Sequence, residues 1–147
     1  MIGVVITGHG QFASGLVTSL NLIGGEFPNV AAVDFTATDS PEKLTVRLKE
    51  AVGCFESCER VAFFTDVAGG SPFKCSAIVG QATADFRVFA GTNLPMLLEF
   101  LFARETGDLS QLEEQVVTAG KNAVSCISRE TTGCGAKRRK PMDGKGI

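Results

Sequence analysis

The sequence predicts an α/β fold: a doubly wound, mainly parallel open sheet of four strands with helices on both faces, of roughly flavodoxin type. Short apolar runs alternate regularly with longer segments of helical periodicity, and no internal repeat interrupts the pattern. The runs are apolar at successive positions, as in strands buried on both faces. Each ends near glycine or polar residues, the composition of the loops where open parallel sheets bind ligands. With 147 residues, 44% of them hydrophobic and 20% charged, the chain reads as one globular domain. Folding at this size buries roughly two-thirds of the surface of the unfolded chain, so the core stands without disulfide or metal.

The first strand is Ile2 to Thr7, followed by a helix over Phe12 to Ile23 with Leu16, Leu20 and Ile23 at helical spacing. The second strand, Val30 to Phe35, leads to a helix over Pro41 to Phe55, opened by Ser40 as N-cap and Pro41 at its first position. The third, Val61 to Asp66, is followed in the same manner by Pro72 to Thr83, with Ser71 as N-cap. The fourth, Phe86 to Ala90, precedes a helix over Pro95 to Arg104. This repeated strand-helix order, with right-handed crossovers, gives the parallel sheet. A further helix from Ser110 to about Lys121 starts with Ser110 and Glu113 spaced as a capping box. Ala123 to Ser128 (AVSCIS) reads either as an extension of that helix past Asn122 or as a fifth, antiparallel edge strand. A single domain is expected over 1–130, with 131–147 a basic, disordered tail.

The net charge of −2 is uneven: five basic residues against Asp143 give 137–147 a charge of +4, leaving −6 for 1–136. The acidic body argues against a nucleic-acid partner, and the basic run reads as a solvated terminus. No stretch approaches the roughly 18 apolar residues of a membrane span, and the start MIGVVITGHG lacks the features of a signal peptide. Cys54, Cys58, Cys75, Cys126 and Cys134 show no paired spacing, which fits free thiols in a reducing compartment. A cytoplasmic protein is expected. With one histidine in the chain, Cys54 and Cys58 lack the further ligands a zinc site needs, and neither metal nor other cofactor is expected.

Candidate chemistry concentrates at the strand ends. His9 is flanked by Gly8 and Gly10, which let the backbone bend and another molecule approach, and it precedes a helix whose positive end favours an anion. Neutral imidazole is a good nucleophile. Asp66 ends an apolar strand, where an ionised carboxylate needs a partner. If the first and third strands are neighbours, Asp66 accepts a hydrogen bond from one ring nitrogen of His9, fixes the tautomer and leaves the other nitrogen to attack. A loop histidine without a role, and a carboxylate satisfied by backbone amides, remain the alternatives. Gly69-Gly70-Ser71-Pro72 offers exposed amides and a hydroxyl before a helix, an anion nest that ordinary capping would also explain. Neither GxxxxGK[ST] nor GxGxxG is present, which argues against ATP and dinucleotides.

Together, THG after the first strand, FFTDVAGGSPF through the end of the third and AGTNLPMLLEFLFAR after the fourth resemble the enzyme IIA component of the mannose-family sugar phosphotransferase system, over about residues 1–125. The resemblance implies a phosphocarrier with a phosphohistidine intermediate. His9 takes the phosphoryl group from the small phosphocarrier protein HPr and passes it to enzyme IIB, which phosphorylates sugar arriving through the membrane subunits IIC and IID. Asp66 is then the hydrogen-bonding aspartate and Ser71 the phosphate-side serine. Amides near Gly10 and Gly70 are expected to hold the phosphoryl oxygens, with Phe12, Phe73, Leu94 and Met96 as an apolar docking rim, although core packing explains Leu94 and Met96 as well. The resemblance also implies a homodimer exchanging a C-terminal strand, for which AVSCIS is the candidate. The opening ITGHGQFASG resembles the N-acetylgalactosamine or hexosamine subgroup more than the mannose prototype.

Three other classes compete. The IIA-like subunit of phosphotransferase-dependent dihydroxyacetone kinase shares the first-strand histidine, but its sequences resemble a different third-strand loop and lack NLPM. A signalling receiver with Asp66 as acceptor needs a magnesium-binding acidic pair after the first strand, where this chain has Thr7-Gly8-His9. A non-catalytic anion-binding module would use the same loops and tolerate loss of His9.

Overall fold

The computed structural model describes residues 1–128. Its elements are β1 (Ile2–His9), α1 (Phe12–Gly24), β2 (Val30–Phe35), α2 (Pro41–Gly53), β3 (Arg60–Thr65), α3 (Ser71–Gly80), β4 (Asp85–Phe89), α4 (Leu94–Ala103) and α5 (Leu109–Asn122). The four strands form one parallel sheet in the order β2-β1-β3-β4, the expected doubly wound arrangement. Strand order reverses between β1 and β3, so the switch point, where open parallel sheets bind ligands, lies at the carboxyl ends of these two strands.

Alternation along the strands explains their unbroken apolar runs. Ile2, Val4 and Ile6 of β1, with Ala62 and Phe64 of β3, pack beneath α1, α4 and α5. Val5, Val61 and Phe63 face the other way, against Leu44 and Leu48 of α2 and Cys75 and Val79 of α3. Both faces are therefore covered, and polar chemistry is left to the strand ends.

Several local expectations are corrected. β1 runs two residues past Thr7, because Gly8 and His9 pair with Asp34 and Phe35 of β2; His9 is thus the last residue of a strand. The N-cap of α3 is Gly70, and no side chain caps this helix; Ser71 stands inside its first turn. The Ser110–Glu113 capping box does not form. Asp108 is the N-cap of α5, and both side chains turn to Arg87 on β4, whose guanidinium donates to Ser110 Oγ at 3.0 Å and Glu113 Oε2 at 2.9 Å. Ser40 does cap α2, accepting from the Lys43 amide at 3.3 Å. The helical reading of Ala123 to Ser128 gives way, since α5 ends at Asn122, and within the single chain 124–128 carry no regular structure. The tail from 131, with Cys134, lies outside the described residues.

Candidate functional site

The register brings His9 and Asp66 together. Thr7 pairs with Thr65, so the next residues of β1 and of the chain leaving β3 emerge side by side at the switch point. His9 Nδ1 lies 2.7 Å from Asp66 Oδ2, and the same oxygen accepts the His9 backbone N–H at 2.8 Å. The second oxygen, Oδ1, accepts the Val67 amide at 2.8 Å. Burial pushes the Asp66 carboxyl up, but the bonds from the His9 amide, the His9 ring and the Val67 amide outweigh it and hold the group below its ordinary 3.8. Asp66 is therefore ionised at neutral pH. An ionised carboxylate only accepts, so Nδ1 carries a proton, and in the neutral ring Nε2 presents its lone pair. The Asp66 side chain is 13% exposed and that of His9 52%. The carboxylate is covered and the imidazole reaches solvent.

Two neighbours fix the ring. Phe35 meets it edge to face, with centroids 5.5 Å apart. On another side, a Cβ added to Gly70 would stand 3.3 Å from His9 Cε1, so the backbone entering α3 lies against the imidazole. Gly8 is needed beneath, since a Cβ there would overlap the Phe12 ring and reach 3.0 Å from Asp66 Cγ. Phe35 was given no role from sequence, and Gly8 only that of a flexible flank to His9. Adjacency of the β2 end to His9 follows from strand order, whereas the close packing at Gly8 has no signature in spacing.

The anion nest differs from expectation. The Gly10 N–H is committed to the Phe35 carbonyl at 2.8 Å, closing a bridge, so it is not free for an anion; that of Gly70 faces the Val67 carbonyl at 3.3 Å. With no side-chain cap on α3, its open first-turn amides are those of Ser71 and Phe73, because Pro72 has none. The Ser71 hydroxyl makes no hydrogen bond among the described residues. A hydroxyl and two amides thus stand uncapped at the positive end of the helix whose N-cap, Gly70, lies against the His9 ring. Of the expected rim, Phe12 is half-buried over Gly8, Phe73 is partly exposed on α3, and Leu94 packs against the core. Met96 is corrected outright. It is 3% exposed and seated against Gly120, so it belongs to the core.

Comparison with known proteins finds the family described as "PTS system fructose IIA component" matching residues 3–117. The chain is 30% identical over 127 residues to the mannose-specific EIIAB component of the phosphotransferase system (PTS) of Escherichia coli K12, covering 86% of this chain and 39% of that one. It thus spans well under half the length of such relatives. It is 35% identical over 105 residues to the fructose-specific EIIA component of Bacillus subtilis, covering 71% of this chain and 72% of that protein. Among solved structures, the phosphotransferase system component EIIA from Streptococcus agalactiae superposes with a TM-score of 0.78 at 29% identity, covering 86% of this chain and 97% of that one.

Proposed function

Because the chain belongs to the PTS fructose IIA component family, the mannose-type enzyme IIA proteins, we propose that it carries a phosphoryl group on His9 between phosphorylated HPr and an enzyme IIB partner. The observation that supports this most is the 2.7 Å contact of His9 Nδ1 with Asp66, which fixes the tautomer of the neutral ring so that Nε2 is the nitrogen turned outward for attack. In the transfer, the Nε2 lone pair forms a new N–P bond while the N–P bond of the donor breaks, its electron pair returning to the donor nitrogen. The proton on Nδ1 stays in its bond to Asp66, whose charge offsets that of the phosphorylated ring. Phosphohistidine is already reactive, so the site has only to align the two nitrogens in line and steady the equatorial oxygens. Ser71 and the first-turn amides of α3 are suited to that task.

Docking of both partners requires an approachable rim, for which Phe12 and Phe73 remain the candidates. The dimer belongs to the same proposal: exchange of 123–128 between copies would cover Val124 and Ile127, 77% and 80% exposed, at the open edge of β4. No helix of the described residues is long and apolar enough to cross a membrane. In this reading, sugar enters through separate membrane subunits IIC and IID. Sugar choice then rests mainly with them.

The test is intact mass after incubation with phosphoenolpyruvate, enzyme I and HPr, beside a His9→Ala variant and a reaction lacking HPr. One acid-labile phosphoryl group, lost in both controls, is the expected result. No gain with active HPr would leave an anion-binding module as the better reading.

A further inference from the structure

Resting on the reading of His9 as carrier, we propose that Lys74 supplies the cation that neutralises the phosphoryl group held there. The Lys74 amide bonds to the Gly70 carbonyl at 3.0 Å, so Lys74 stands one turn above the N-cap of α3. Gly70 itself lies against the His9 ring. Helical side chains lean back toward the N-terminus over positions i−3 and i−4, which for Lys74 are Ser71 and Gly70. From that position the ammonium is within reach of the first turn of α3 and of whatever the nest holds. Lys74 is exposed, and among the described residues it takes part in no ion pair or side-chain hydrogen bond, so the charge is uncommitted.

The site needs such a group. A phosphoryl group brings close to two negative charges next to the ionised Asp66. The backbone answers incompletely, since the Gly10 amide is bonded to Phe35, the Gly70 amide faces Val67, and Pro72 offers none. No acidic residue in the first turn of α3 competes for the ammonium. The reaction stays as written above, with one N–P bond formed and one broken; Lys74 exchanges no proton and only lowers the energy of the phosphorylated state.

An equilibrium constant separates this from a docking role, because docking changes how fast phosphoryl moves but not where it comes to rest. Phospho-HPr is mixed with the unaltered chain, Lys74→Met and Lys74→Arg, and the phosphorylated fraction is read by intact mass at low and at physiological salt. The expected result is an equilibrium constant lower by about threefold to tenfold in Lys74→Met, with weaker salt dependence, restored in Lys74→Arg. An unchanged melting temperature shows that the exposed substitution leaves the fold intact. Equal constants and equal salt dependence for Lys74→Met and the unaltered chain would overturn the inference. If the unaltered chain takes no phosphoryl group from phospho-HPr, the carrier reading fails, and the role of Lys74 with it.

Discussion

Arg104 at the amino end of the sheet and His9 at the carboxyl end both point nitrogen donors at strand termini, but they differ in what they leave open. Arg104 is 3% exposed, and its guanidinium donates to the carbonyls of Ile2 at 3.1 Å, Pro28 at 2.6 Å and Asn29 at 3.5 Å. It stitches the start of β1 to the turn before β2. Burial holds its pKa below the usual guanidinium value, opposed by Cys58 and Glu105. His9 is half exposed, has one nitrogen anchored to Asp66 and, among the described residues, keeps the other free. One end converts polar groups into rigidity; the other holds a single polar atom in readiness. Stability and reactivity are thus separable along the strand axis, and substitutions at the two ends should move different observables.

The largest stability effect is expected at the amino end. Arg104→Met removes the donor shared by three carbonyls and should cost about 3 kcal/mol, read as a lower urea midpoint with an unchanged slope. Phosphoryl acceptance by the folded fraction should stay within about twofold, on the order of 0.4 kcal/mol. Loss of transfer without loss of stability would break the comparison.

At the carboxyl end, Asp66→Asn should slow phosphoryl acceptance about 30-fold, near 2 kcal/mol of barrier, because the ring loses the charge that holds its tautomer and offsets the product. The same residue sharpens the comparison through pH. The Asp66 pKa is lowered in the fold, so its stabilisation is complete above the ordinary carboxylate value and is lost as pH falls through the lower folded value. Thermal melts should therefore show the unaltered chain losing ground relative to Asp66→Asn as pH drops below about 4. A constant difference across that range would count against the hydrogen-bonded carboxylate. The smallest effect is expected for Gly70→Ala. Its Cβ would sit 3.3 Å from His9 Cε1 and 3.4 Å from the Val67 carbonyl, and a φ of −68° already suits alanine. Less than about 1 kcal/mol of stability should change, with acceptance slowed a few-fold as the ring is nudged.

The fold was legible because apolar runs and helix starts are local signals: Ser40 with Pro41 marks α2 wherever the chain goes afterwards. His9 and Asp66 were legible because each follows an apolar run and strand order alone makes them neighbours. Less was readable where a long-range partner redirects a local preference. Ser110 and Glu113 have capping-box spacing, yet a guanidinium on β4 claims both. Gly10 has the flexibility of a nest residue, with a positive φ of 63°, but its amide is taken by Phe35 across the sheet. Met96 begins a helix as a rim residue would, and Gly120 makes room for it inside. Such outcomes depend on contacts between residues distant in sequence, which periodicity does not encode.

A single histidine makes the central claim directly measurable. Nitrogen-15 spectra of the histidine-labelled chain, before and after phosphorylation through HPr, report both ring nitrogens without overlap. The account predicts a protonated Nδ1 throughout and a phosphorus coupling at Nε2 afterwards; phosphorylation at Nδ1, or a free chain protonated at Nε2 alone, would contradict it.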